Sequence, residues 1–135
     1  MLHRDPGLAP TGALGRVPAP VDADWTESFR PTVSLLFRYS AATFNAHRIH
    51  YDAEFARHEG YGGIVVHGPL LAMLLMDGTA RHSGRTVSRL SYRGVSPLFH
   101  DATAVLAGRI DGDQAKAWAA TEAGELGLTA TIDLK

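Results

Sequence analysis

Apolar and polar residues alternate along four stretches in the second half of the chain. The stretches are residues 86–94, 102–110, 115–121 and 126–134. Alternation with a period of two is typical of β-strands that bury one face. Asp111-Gly112-Asp113, between the second and third stretches, is a strong hairpin signal, because glycine readily adopts the backbone conformation of a tight turn. The pattern therefore predicts antiparallel strands joined by short turns.

An apolar run ahead of these strands predicts a buried helix. Gly68-Pro69 begins it, because proline suits the first turn of a helix and has no amide hydrogen that needs a partner. The run continues to about His82 and is expected to end near Gly84. It is apolar on nearly all sides, as buried helices are. One buried helix followed by antiparallel strands predicts an α+β domain in which the sheet wraps the helix.

The first half of the chain has weaker patterns. Residues 33–44 have apolar positions at helical spacing, which predicts a helix with four residues on one face. These four are Leu35, Leu36, Tyr39 and Thr43. Residues 27–30 favour a short edge strand, and residues 52–58 a helical turn. Residues 1–22 are rich in proline and glycine, which predicts a flexible arm in front of a single domain over residues 23–135.

Composition is that of an ordinary globular domain. Of the 135 residues, 45% are hydrophobic and 20% are charged. The formal net charge is -1, from 13 basic and 14 acidic residues, which argues against nucleic acid or a membrane surface as a partner. There is no cysteine, which excludes disulfides and thiolate chemistry and is compatible with a cytoplasmic protein. No apolar run approaches a membrane span, and the N-terminus lacks the core of a signal peptide.

Three polar side chains that can take part in catalysis fall within six residues, at Asn45, His47 and His50. A neutral imidazole at position 50 can act as a general base near neutral pH, although a hydrogen-bonded core histidine has the same sequence signature. His47 and His50 would share one face of a helix, but no third ligand stands at helical spacing, so no metal site is predicted. Asn45 could equally end a helix.

The second candidate stretch is the start of the apolar helix. Amide hydrogens and positive partial charge at a helix N-terminus stabilise a polarised carbonyl oxygen, which makes Gly68 a candidate donor. His67 beside it could contribute to a site or simply pack beneath the helix. Arg93, on a predicted strand, could be a ligand or an ordinary solvated residue.

The order of residues between positions 39 and 56 resembles the signature of the R-specific enoyl-CoA hydratases, also called MaoC-like or type 2 hydratases. The residues that carry this resemblance are Tyr39, Thr43, Asn45, His47, Ile49, His50 and Ala56. Val66-His67-Gly68-Pro69 resembles the family's segment entering its central helix, and Ser91-Tyr92-Arg93 with Pro97 resembles the strand that follows. The stretch 44–52 is most similar to mesaconyl-C4-CoA hydratases and mitochondrial 3-hydroxyacyl-thioester dehydratases, and the chain resembles their catalytic C-terminal half.

The resemblance spans roughly residues 25–135 and implies a hot-dog fold, a curled antiparallel sheet around one long helix. It also implies reversible addition of water to the double bond of a 2-enoyl-CoA thioester, with small dicarboxylic ones such as mesaconyl-CoA included. No cofactor is implied, because CoA is part of the substrate. In the family pattern an Asp and a His five residues later orient the water. His50 matches the His, but Asn45 replaces the Asp, and an amide cannot accept a proton.

The residues and the resemblance together assign two sets of roles. The expected catalytic residues are Asn45, His50 and Gly68. The expected substrate-binding residues are His47, Arg48, His67, Pro69 and Arg93. Arg93, or else Arg48, would pair with a substrate carboxylate, because a guanidinium group can form two parallel hydrogen bonds with it.

Two other functions use the same fold. Hot-dog proteins include acyl-CoA thioesterases, and Asn45 is also compatible with a non-catalytic acyl-CoA-binding subunit. The expected partner is a second hot-dog unit, in a homodimer or a heterodimer, because one sheet around one helix leaves little depth for a long pantetheine arm.

Overall fold

Two helices and five strands make up the part of the chain that the computed structural model describes, residues 17–42, 64–100 and 102–135. In chain order they are β1 (Trp25–Phe29), α1 (Val33–Ala42), α2 (Gly68–Ser83), β2 (Val87–Gly94), β3 (Ala104–Asp111), β4 (Gln114–Thr121) and β5 (Leu126–Leu134). The helices and strands predicted in these ranges are confirmed, with small shifts at their ends. The predicted turn at residues 52–58 lies outside the described residues.

All five strands form one antiparallel sheet in the order β1-β3-β4-β5-β2. Gly112-Asp113 connects β3 and β4, and Gly112 has a φ of 61°, as the Asp-Gly signal predicted. β1 and β2 form the two edges of the sheet. Consecutive strands therefore pair along the chain from β3 to β5, while β1 and β2 join from outside.

α2 packs across one face of the sheet, which we call the inner face. The strands present small side chains to it, among them Ala115, Ala117, Ala119 and Ala130. Leu71 and Leu75 of α2 are buried against them. The helix is not buried on all sides as its sequence predicted, since Met73 is 51% exposed. This is the expected α+β arrangement of a sheet around a helix. No helix within the described ranges is long and apolar enough to cross a bilayer.

A tryptophan of the edge strand sits between α2 and the sheet. Trp25 is buried and lies against Gly78 of α2 and Gly108 of β3. A methyl group built on Gly78 would lie 2.5 Å from Trp25 Cη2, so only glycine fits there. The two glycines thus let α2 and β1 approach closely at the C-terminal end of the helix.

A second, smaller apolar cluster lies on the opposite, outer face of the sheet. Trp118 is its largest member, and Ala19 and Ala23 of the N-terminal segment pack against it. Leu126 N donates to Val17 O at 2.7 Å, and Ala19 N donates to Gly124 O at 2.8 Å. The described end of the predicted arm is therefore bonded to the sheet, while residues 1–16 lie outside the described residues. The boundary at residue 22 stays a prediction.

α1 lies on the surface and buries only a narrow stripe. Its buried residues are Leu36 and Ser40, one helical turn apart, and Tyr39 is half-buried beside them. Leu35 and Phe37 are exposed, so the predicted face is wrong at Leu35. The start of the helix is held by Thr32, whose Oγ1 accepts a hydrogen bond from Leu35 N at 3.1 Å.

Candidate active site

The first turn of α2 presents amide hydrogens that the helix itself cannot use. Leu71 N donates to His67 O at 3.1 Å, which is the first bond of the helix. The amides of Gly68 and Leu70 precede it, and Pro69 between them has none. No side chain caps this end of the helix among the described residues. Gly68 and Leu70 therefore offer two donors at the positive end of the helix dipole.

Gly68 is not required by its backbone or by the packing of the described residues. Its φ is not among the positive values, which occur at Gly84, Gly112 and Gly124. A methyl group built on Gly68 would lie 3.8 Å from Leu128 Cδ1 and 3.9 Å from Tyr92 Cε2, ordinary contact distances. At Gly78, by contrast, the methyl group would overlap a tryptophan. Among the described residues, a methyl group would thus fit at Gly68, in contact with Leu128 and Tyr92.

His67, predicted to bind substrate, is enclosed by protein. Its exposed fraction is 0%. Its Nε2 lies 2.6 Å from Ser40 Oγ, and the Tyr39 ring meets it edge-on, with centroids 4.7 Å apart and planes at 68°. The imidazole ring therefore packs between α1 and the start of α2. Its expected role of touching substrate stays untested.

Two tyrosines and a methionine surround the start of α2, and the sequence did not single them out as site residues. Tyr92 of β2 lies beside Gly68 and is 41% exposed. Tyr39 Oη donates to Met73 Sδ at 3.8 Å. Burial raises the pKa of Tyr39, and nearby Tyr92 adds to the shift, so the Tyr39 hydroxyl stays protonated at neutral pH. The signal for Tyr92 was its position two residues from Leu90, on the alternating face that meets the core.

Arg93 does not lie with Gly68. It pairs with Thr129 in the sheet, and Thr129 pairs with Trp118 of the outer face. Tyr92, its neighbour, pairs with Ala130 of the inner face. Since successive side chains on a strand point to opposite faces, Arg93 lies on the face away from α2. The same alternation that places Tyr92 with Leu90 places Arg93 on the opposite face.

The remaining expected site residues lie outside the described residues. They are Asn45, His47, Arg48 and His50. Pro69 is half-buried in the first turn of α2. Within residues 17–42, 64–100 and 102–135, no group of three or more His, Asp or Glu side chains could hold a metal ion. The described site is therefore a helix N-terminus with a glycine in its first turn, bordered by Tyr39, Tyr92 and Met73.

Comparison with known sequences gives a match to a family model and to several related proteins. The family model of hydroxyacyl-thioester dehydratase type 2 matches residues 9–100. The mesaconyl-C(4)-CoA hydratase of Chloroflexus aurantiacus is 45% identical over 136 residues, which are 99% of this chain and 48% of that protein. This chain thus spans about half the length of that relative.

Solved structures share the fold at low sequence identity. The (R)-hydratase from A. caviae, described as involved in PHA biosynthesis, superposes with a TM-score of 0.68 at 22% identity, over 85% of this chain and 96% of that one. A chain of the ChsH1-ChsH2 complex from Mycobacterium tuberculosis gives 0.71 at 16% identity, over 92% and 98%. These likenesses agree with the hot-dog arrangement of the sheet and α2.

Proposed function

This chain belongs to the hydroxyacyl-thioester dehydratase type 2 family, and from that membership and the start of α2 we propose that it adds water reversibly to the double bond of a 2-enoyl-CoA thioester. The single observation that carries this proposal is the start of α2, where Gly68 stands at the first turn and no described side chain caps the helix. Gly68 is required neither by its backbone conformation nor by the described packing, and it lies in the first turn of α2 beside amides that have no partner within the helix.

The amides of Gly68 and Leu70 would bind the thioester oxygen. When water adds to carbon 3, negative charge develops on this oxygen as the enolate forms. Donors that are already aligned, at the positive end of a helix, stabilise that charge more than they stabilise the uncharged substrate. Interactions that are stronger in the transition state are the ones that raise turnover. Tyr39, Tyr92 and Met73 would form the apolar rim through which the acyl group enters.

Proton transfer falls to the polar cluster of the motif. One proton leaves the attacking water as its oxygen bonds to carbon 3, and one proton must reach carbon 2. With an amide at Asn45, His50 is the candidate base: it would take the proton from the attacking water, and the imidazolium so formed would deliver a proton to carbon 2. Asn45 can hold the water through its carbonyl oxygen but cannot take the proton.

The proposed substrate is a small enoyl-CoA. Mesaconyl-CoA is the first choice, because the relative from Chloroflexus aurantiacus is named a mesaconyl-C(4)-CoA hydratase. A dicarboxylic substrate needs a cation for its free carboxylate. Arg93 lies on the outer face of the sheet, so Arg48 is the better candidate within one chain. A cytoplasmic location remains a prediction from the sequence.

A second candidate is a non-catalytic acyl-CoA-binding subunit, which the amide at Asn45 favours. One experiment separates the functions. The chain is incubated with crotonyl-CoA and with mesaconyl-CoA, and the absorbance of the conjugated double bond is followed together with free thiol. Loss of the conjugated absorbance means hydration, and free thiol means a thioesterase. Neither, with binding retained in calorimetry, means a passive subunit and contradicts the proposal.

The proposed partner is a second hot-dog unit. This chain spans about half the length of the Chloroflexus aurantiacus hydratase, and a structural neighbour is described as a ChsH1-ChsH2 complex. Both facts support a two-unit assembly, either of two copies or with a different chain. Sedimentation at micromolar concentration checks this, and a fully active monomer would contradict it.

A further inference from the structure

A buried hydrogen bond joins the two helices immediately beside Gly68. Ser40 Oγ and His67 Nε2 are 2.6 Å apart, and the two residues are 4% and 0% exposed. Ser40 belongs to α1 and His67 precedes α2, so the bond spans 27 positions of the chain. Polar groups this far from water lose their hydration on folding, and a buried polar group left without a hydrogen-bond partner lowers the stability of the protein. The bond therefore constrains where the two helices can lie.

His67 cannot shift without moving the donors at the start of α2. Its carbonyl accepts the first bond of the helix from Leu71, and Gly68 follows it directly. The backbone just before it is held from the other side, because Val66 N donates to Leu98 O at 2.8 Å. The imidazole thus transmits the position of α1 to the amide of Gly68.

The position of α1 depends on this hydrogen bond more than the position of a deeply buried helix would. Only Leu36 and Ser40 of α1 are buried, while Phe37 is 55% exposed. The Tyr39 ring adds an edge-on contact to the same imidazole. The end of α1 is therefore located by its interaction with His67. In the sequence, Asn45 follows five residues after Ser40.

We propose that Ser40 and His67 are positioning residues: their hydrogen bond sets the end of α1 relative to the amides of Gly68 and Leu70. The inference rests on the proposed function and gives both residues a role that acts through the backbone rather than by contact with the reacting atoms. Reacting groups must be held to within fractions of an ångström, and a misplacement of about 1 Å can cost on the order of 10²-fold in rate. The pair would act on kcat, because the substrate's binding surface stays in place.

The test is a double-mutant cycle in the full chain. Ser40→Ala, His67→Leu and the double variant are assayed with crotonyl-CoA and mesaconyl-CoA. Each single variant is expected to lower kcat by roughly 10-fold to 100-fold and to change KM by less than about 3-fold. The double variant should be no worse than the singles, because both remove the same bond. His67→Gln, whose amide can reach the position of Nε2, should restore part of the activity.

Two variants serve as matched controls. Thr79→Val removes another fully buried hydroxyl, on α2, that has no hydrogen-bond partner among the described residues. Ile132→Val loosens the buried core in β5, away from the start of α2. Both should keep kcat, although Ile132→Val lowers the Tm. If Ser40→Ala keeps kcat within about 2-fold, or loses activity only in proportion to its Tm as Ile132→Val does, the pair is merely structural.

A second measurement decides the inference even if the chain hydrates neither thioester. In that case the proposed function fails, and amide NMR of the native chain and of Ser40→Ala tests the positioning alone. The Gly68 and Leu70 amide signals should shift in Ser40→Ala and stay in place in Thr79→Val. Unchanged Gly68 and Leu70 signals in Ser40→Ala would overturn the inference.

Discussion

At the scale of single residues, Gly68 and Gly78 lie on one helix but are glycine for different reasons. A methyl group fits beside Gly68 and overlaps Trp25 at Gly78. Gly68→Ala should therefore leave the Tm unchanged or slightly raised, since alanine favours helix by up to about 1 kcal/mol. Turnover should fall at least about 10-fold, because the methyl group occupies the space for the thioester oxygen. Steady-state kinetics and thermal unfolding of the same samples measure both.

Gly78→Ala is the control for this prediction. Its methyl group must displace a buried indole, and overpacking of this kind costs about 1–3 kcal/mol. It should lower the Tm while the remaining folded protein keeps its turnover. If Gly68→Ala instead lowers the Tm and keeps turnover, as expected for Gly78→Ala, then Gly68 is needed for stability and not for catalysis.

The departure at Asn45 gives a second prediction at the residue scale. His50→Gln should abolish turnover with binding retained, and His47→Gln should be milder. Activity of the native chain should fall as the pH drops and His50 becomes protonated, because protonation removes the base. Asn45→Asp should keep or raise activity and add a carboxylate to the pH profile. His50→Gln activity within a few-fold of native would make the passive subunit the better interpretation.

At the scale of elements, charged groups tie the C-terminal end of α2 to the edge strand β1. Glu27 of β1 accepts two hydrogen bonds from Arg81, at 2.8 and 3.0 Å, and lies 2.7 Å from His82 Nε2. The His82 ring stacks on Trp25, with centroids 4.9 Å apart. The hydrogen bonds from Arg81, and then from His82, lower the pKa of Glu27 from 4.5 to about 2. The ionised carboxylate of Glu27 therefore holds β1 against α2 through its bonds with Arg81 and His82.

This arrangement predicts a definite pH dependence of stability. Because the folded pKa of Glu27 is below its unfolded value, its contribution is full above pH 4.5 and is lost as the pH falls from 4.5 to about 2. Glu27→Gln should lower the Tm by a few degrees at pH 7, and the difference from native should shrink across that window. Thermal unfolding at a series of pH values measures it.

Asp113→Asn is the matched control for Glu27. Asp113 also pairs with one arginine, Arg85, at 2.6 Å, but its side chain is 87% exposed. Solvent and salt screen such a pair, so its loss should leave the Tm nearly unchanged at every pH. A Glu27→Gln variant with the same flat response as Asp113→Asn would mean that the contact with Arg81 contributes nothing.

At the scale of the whole molecule, the N-terminal segment covers one of the two apolar faces of the sheet. Val17 and Ala19 bond to the β4–β5 end of the sheet, and Ala19 packs against the cluster around Trp118. Deletion of residues 1–16 should change the Tm little, because a sequence so rich in proline and glycine is predicted to bury little apolar surface. Deletion of residues 1–20 should lower it by several degrees and expose Trp118, which its fluorescence reports. Equal Tm values for both truncations would show that the bonded part is dispensable.

Local patterns in the sequence were sufficient to predict the helices and strands of the described residues. The alternation after residue 86 predicted four strands, and Gly68-Pro69 and Gly84 marked the two ends of α2. The resemblance around the motif led to the family, and the predicted start of the helix at Gly68-Pro69 made Gly68 a candidate donor. These features depend on residues close together in the chain, whose periodicity, caps and turns follow from backbone chemistry alone.

Only the tertiary structure decided which distant residues meet. Ser40 bonds to His67, Trp25 lies between Gly78 and Gly108, and Tyr92 rather than Arg93 borders Gly68. The contacts of Ser40 and Trp25 have no local signature, because each depends on strand register and on how the helices cross the sheet. A shift of one residue in β2 would exchange the faces of Tyr92 and Arg93 without changing the alternation of the strand. Register is set by burial of the whole sheet against α2, a property of the assembled fold.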